Sequence, residues 1–208
     1  GGSGHGKSTL LLNLVAEWIS SQIENNLPDS SFVYLTYENS PILVAHKLRN
    51  IGARLVDAGA EFPAGWTSSI TENVFITSDI PLEDYRALIE ASRIIKAKEL
   101  FRPNEENIDL KNIPVILILD YLQIIRCNSR NIEKLSGYER MKAISLELEQ
   151  LARDENIIIL ALCQQNSEGQ IRESRDIFFY SSVSIDLYNH FEIPGVDPDE
   201  LDEGERKK

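Results

Sequence analysis

From about Lys7 to Gln22, apolar residues recur at Leu11, Leu14, Val15, Trp18 and Ile19, the spacing of one helical face. Phe32–Tyr37 is a short apolar run of strand length. Ser40 then stands as a cap and Pro41 as the first residue of a second helix, with Val44, Leu48, Ile51 and Leu55 inward. Asn73–Thr77 predicts a second strand. Pro81 to about Lys98 predicts a third helix, with Tyr85, Leu88, Ser92 and Ile95 inward. Phe101–Asn112 is polar and proline-bearing, as expected of a surface loop. Pro114–Asp120 is apolar on both faces, the pattern of a central parallel strand. Ser136-Gly-Tyr-Glu139 matches a capping box opening a helix to about Asp154, with Met141, Ile144, Leu148 and Leu151 on one side. Ile157–Leu162 predicts another buried strand, and Ser182–Tyr188 a weaker last one. This alternation predicts an α/β fold, a mostly parallel twisted sheet with helices on both faces.

A length of 208 residues fits one such domain. We expect it to occupy residues 1–190, with 191–208 as an acidic loop or tail. Net charge is −12, from 33 acidic and 21 basic residues, which disfavours a protein that simply coats nucleic acid. Six carboxylates between Asp197 and Glu205 make much of that excess local, so a focused basic surface remains possible elsewhere. No apolar run approaches the ~20 residues needed to cross a bilayer, and no leader resembles a signal peptide. Cys127 and Cys163 lack metal-ligand spacing and read as free thiols in a reducing compartment. The expectation is a cytoplasmic protein with no membrane association.

The chemistry is concentrated where predicted strands end and the first helix begins. Gly1-Gly-Ser-Gly-His-Gly-Lys-Ser8 fits the phosphate-loop pattern at every defined position. Glycines at such a loop let backbone N–H groups turn toward phosphates, and the following helix adds its positive end. The residues expected around the triphosphate are therefore Gly1, Gly2, Ser3, Gly4, His5, Gly6, Lys7, Ser8 and Thr9, with His5 contributing only backbone. Lys7 supplies a charge to the β- and γ-phosphates, and the Ser8 hydroxyl is a magnesium ligand. Asp120 ends the central strand, where a carboxylate holds magnesium directly or through water. A phosphate loop ordinarily follows a strand, so the first strand of the core is expected to lie outside this sequence.

Tyr121, not an acid, follows Asp120, so a hydrolytic base has to come from elsewhere. Glu38, at the end of the Phe32–Tyr37 strand, is the candidate, or else a capping or surface glutamate. Gln164 follows the next strand and is placed to hydrogen-bond a γ-phosphate; the adjacent Gln165 is the alternative. Two loops leave these strand ends, Arg126–Lys134 and Asn166–Arg175. Arg126, Arg130 and Arg172 in them suit the phosphates of a nucleic-acid strand, or are simply solvated charges.

With the phosphate loop, Thr36-Tyr-Glu-Asn39, Ile118-Leu-Asp-Tyr-Leu-Gln-Ile124, Ala161-Leu-Cys-Gln-Gln-Asn166 and Ile171-Arg-Glu-Ser174, the chain resembles RecA-like ATPases. Among them it is most similar to the C-terminal motor domain of DnaB-type replicative helicases, from Gly1 to about Tyr188. The resemblance implies a RecA-like phosphate-loop fold and ATP hydrolysis with Mg2+ in a homo-hexameric ring, driving single-stranded DNA through the channel during replication. It makes Glu38 the catalytic glutamate, Asp120 the magnesium aspartate and Gln164 the phosphate-sensing amide. It also places Arg172 in a channel-lining loop. Two other readings stay open: a recombinase-like or plasmid-replication ATPase that acts on DNA without unwinding, and a nucleotide-gated regulatory module.

Overall fold

Two strands buried along their whole length, β1 (Ser31–Thr36) and β3 (Val115–Asp120), form the centre of the sheet. The computed structural model describes residues 6–27, 30–57, 65–100, 109–164 and 180–185, with backbone alone at 53–57 and 99–100. β2 (Val74–Ser78) flanks β1 and β4 (Ile158–Ala161) flanks β3, giving the order β2-β1-β3-β4 with every pairing parallel. Thr36 lies level with Asp120, and Leu119 with Ala161, so three strand ends meet along one edge.

Alternate residues of β1 and β3 feed two apolar layers. Phe32, Tyr34, Ile116 and Ile118 face α1 (Lys7–Glu24), α2 (Pro41–Asp57) and α3 (Trp66–Asn73). Val33, Leu35, Leu117 and Leu119 face α4 (Tyr85–Leu100) and α6 (Gly137–Glu155), whose Met141, Ile144, Leu148 and Leu151 are all buried as expected. Helices thus cover both faces of a parallel sheet, the α/β class anticipated.

The helix starts follow their local chemistry. Ser40 Oγ accepts the Leu43 N–H at 3.3 Å, ahead of Pro41. At α6, Ser136 and Glu139 exchange both bonds of the capping box.

Several expectations need correction. α3 had no sequence forecast; the Trp66 ring anchors it against Gly52 of α2, where a Cβ would come within 2.4 Å of two ring carbons. Trp66 Nε1 also donates to the Ala16 carbonyl at 3.3 Å. The third helix begins with a 3-10 turn, Leu82–Asp84; Tyr85 and Ser92 are buried and Leu88 packs on the core as forecast, but toward its end the inward face departs from the forecast. Ile95 is 43% exposed, while Arg93 and Lys96 point inward. Arg93 pairs with Glu155 at 3.0 Å and Lys96 donates to Asn73 Oδ1, so partners rather than apolarity decide that face. β4 is not fully buried: it is the outer strand of the described sheet, and Ile158 is 47% exposed. Residues 182–185 form no strand, and 186–188 lie outside the described residues.

Candidate nucleotide site

α1 starts at the C-terminal edge of the sheet. Gly6, immediately before it, adopts φ 76°, a left-handed conformation that glycine takes without strain. A Cβ there would meet nothing within 4 Å, so backbone conformation rather than crowding requires the glycine. The helix has no side-chain cap and no acid in its first turn, which leaves its positive end unneutralised from within. Gly1, Gly2, Ser3, Gly4 and His5 lie outside the described residues; Thr9 is exposed on the first turn.

The structure brings Ser8 and Asp120 to one phenol. Tyr34 Oη donates to Asp120 Oδ2 at 2.8 Å, and the Ser8 side chain lies beside the same phenol. Tyr34 is fully buried and Asp120 is 2% exposed. Burial, reinforced by the Asp120 charge and hydrogen bond, drives the phenol pKa far above its ordinary value. Lys7 lies within electrostatic reach of Glu38, Asp120 and Cys163. Burial lowers its pKa, against the opposing pull of those groups. Cys163, half-buried beside Lys7, has its thiol pushed up to about 12 by desolvation and is an inert lining group.

Glu38 is exposed at the head of a short turn. Thr36 Oγ1 donates to the Asn39 carbonyl at 2.8 Å and accepts the Asn39 N–H at 3.1 Å. The Tyr37 N–H, donating to the Asp120 carbonyl at 3.0 Å, ties the base of that turn to the end of β3. Glu38 and Asp120 therefore flank Lys7 from adjacent strands.

Beyond β3, Leu122 N–H donates to the Leu162 carbonyl at 2.8 Å, bringing the segment after Asp120 against the end of β4. Gln123 closes that junction. Its Nε2 donates to the Gln164 carbonyl at 3.0 Å and its Oε1 accepts the Gln164 N–H at 3.3 Å. Arg140 of α6 donates to the carbonyls of Gln123 and Ile125. Gln165, the alternative to Gln164, lies outside the described residues, as does Arg172 with its loop.

Arg126 and Arg130 are both exposed. Arg126 pairs with Asp79 at 2.9 Å, an exposed contact of little energetic weight, and Arg130 opens the short helix α5 (Arg130–Glu133). Glu83 accepts the N–H groups of Asn128 and Ser129 at 3.0 and 2.7 Å, fixing the loop between them.

The donor set suits a hard cation shared with phosphates. No group of three or more acidic, histidine or cysteine side chains gathers as a metal cage among the described residues. One hydroxyl and one carboxylate, both beside Tyr34, match the sparse protein ligation that magnesium takes next to a nucleotide. Sequence reasoning did not single out Tyr34 or Gln123. Gln123 lies inside the Asp-Tyr-Leu-Gln segment, but its partner 41 residues away carries no local signal. Tyr34 was readable only as an apolar strand residue. Among the described residues no helix is long and apolar enough to cross a membrane.

Comparison with curated proteins gave no match. A family model described as the DnaB-like helicase C terminal domain matches residues 1–177, which include both the described site and Arg172. The chain thus belongs to the DnaB-like helicase C-terminal domain family, a group of helicase-type ATPase domains with a RecA-like fold.

Proposed function

We propose that this domain hydrolyses ATP with Mg2+ and uses the turnover to move single-stranded DNA through a ring of six copies during replication, in the cytoplasm. The observation that supports it best is the convergence of Ser8, Asp120 and Glu38 around Lys7 at one sheet edge. Lys7 and the backbone of Gly1–Thr9 bind the phosphates, and Ser8 and Asp120 would hold a magnesium ion, which would supply positive charge against the developing phosphate charge. Glu38 accepts a proton from water as its oxygen bonds to the γ-phosphorus; the bond from that phosphorus to the bridging oxygen breaks, and ADP leaves with inorganic phosphate. Gln164 hydrogen-bonds the γ-phosphate and conveys its loss along the chain that follows. Arg126, Arg130 and Arg172 take DNA phosphates, with Arg126 released from Asp79 at little expense.

The test is ATP hydrolysis by the full-length protein with and without single-stranded DNA, together with strand separation. Stimulation with unwinding supports the helicase reading. Stimulation without unwinding favours a recombinase-like ATPase, and DNA-independent nucleotide binding with negligible turnover favours a regulatory module. Glu38→Gln should lower the hydrolysis rate by at least ~100-fold while nucleotide binding persists. Unchanged turnover in that variant removes Glu38 from the chemistry.

A further inference from the structure

Tyr34 occupies the middle of a fully buried central strand, yet its polar tip ends at the two groups assigned to the metal. A phenol has one proton to donate. Here that proton goes to Asp120 Oδ2 at 2.8 Å, and the Ser8 side chain lies beside the same phenol. A Ser8 hydroxyl that turns its proton toward the phenol oxygen keeps its lone pairs for a ligand on the other side. Asp120, with Oδ2 engaged, keeps Oδ1 for the same purpose.

We propose that Tyr34 is a positioning residue of the magnesium site, a buried relay that orients the Ser8 hydroxyl and the Asp120 carboxylate so that both present lone pairs to one cation. This rests on the ATPase reading above, but concerns a residue that reading does not use. Tyr34 acts through Ser8 and Asp120 and needs no contact with the nucleotide or the ion. Its ring belongs to the apolar cluster that includes Leu12, Val15 and Ile118, so removal of the hydroxyl alone leaves the apolar filling in place.

The experiment is equilibrium binding of a fluorescent ADP analogue to wild type and Tyr34→Phe, once with excess EDTA and once across a Mg2+ titration. Affinity in EDTA should agree within about twofold. The gain in affinity produced by Mg2+ should shrink about tenfold, the factor that loss of one hydrogen bond to a charged group implies. A lower melting temperature with an unchanged Mg2+ gain would mean Tyr34 only stabilises the fold, and overturns the proposal. Absence of any Mg2+ effect in wild type would sink the ATPase reading instead. Should Tyr34→Phe fail to fold, a single 3-fluorotyrosine at position 34 retains ring and hydroxyl. Its 19F resonance should move when Mg2+ joins bound ADP, and indifference to Mg2+ counts against the relay.

Discussion

Removing the Gln123 side chain is the sharpest way to ask whether the end of β4 must be held in place for turnover. Gln123→Ala deletes the bond to the Gln164 carbonyl at 3.0 Å and the longer one from the Gln164 N–H at 3.3 Å. A net hydrogen bond contributes about 0.5–1.5 kcal/mol, and the 3.3 Å bond belongs at the low end of that range. Both groups are only partly buried, so water satisfies the freed Gln164 backbone and the total loss is about 1–2 kcal/mol. If Gln164 reads the γ-phosphate, that loosening reduces the fraction of sites with its amide aligned, and kcat should fall by about 5- to 30-fold. Nucleotide affinity, set mainly by the phosphate loop, should stay within about twofold. Gln123→Glu retains the acceptor but loses the donor, and should lie between wild type and alanine. Steady-state hydrolysis and equilibrium nucleotide binding on the same preparations decide the matter. A drop in unfolding free energy of the stated size with kcat unchanged would refute the reasoning, because Gln123 would then be structural alone.

Gly52→Ala should destabilise the domain by about 1–2 kcal/mol by thermal or denaturant unfolding, since the clash with the Trp66 ring outweighs the ~1 kcal/mol gain in helix propensity. The companion Gly52→Ala/Trp66→Leu, which removes the obstructing ring, should recover part of that loss. Glu83 gives a pH prediction. Its slight burial raises the carboxyl pKa, but the Asn128 and Ser129 N–H bonds outweigh this and hold it below the ordinary carboxylate value. A depressed folded-state pKa stabilises above the unfolded value and is lost as pH falls through the folded one. Amide-proton shifts of Asn128 and Ser129 should therefore titrate with a midpoint below the ordinary glutamate value of about 4.3. A transition centred above that ordinary value contradicts this account.

Where apolar spacing and capping chemistry agree, the sequence was a faithful guide to element bounds, although Leu14 of the forecast α1 face is 44% exposed. α1, α2, α6 and the two central strands lie within a few residues of their forecast bounds, and the Ser136–Glu139 exchange forms as its spacing required. α3 was hidden because Trp-Thr-Ser-Ser-Ile-Thr-Glu-Asn has two large apolar residues and β-branched threonines. Packing of Trp66 into the space left by Gly52 holds it, a tertiary cause with no local pattern. Only the later part of the α4 face, at Ile95, was misjudged, because periodicity assumes charges turn outward, whereas Glu155 and Asn73 draw Arg93 and Lys96 in. In the site, strand ends pointed to Glu38, Asp120 and Gln164 as residues leaving one sheet edge. The residues that hold them, Tyr34 and Gln123, depend on which side chains meet across the sheet, and no spacing along the chain encodes that.

The pairing of Thr36 with Asp120 reaches beyond the sheet itself. Because the Glu38 turn and the Asp120 carboxylate both hang from that one rung, their separation is a property of the peptide ladder and not of the intervening chain. Insertions grafted between α2 and α3, or between α4 and β3, should leave the spacing of these acids intact. The domain is in this sense modular: its outer connections can diverge or be re-engineered while the geometry of its two carboxylates stays constant.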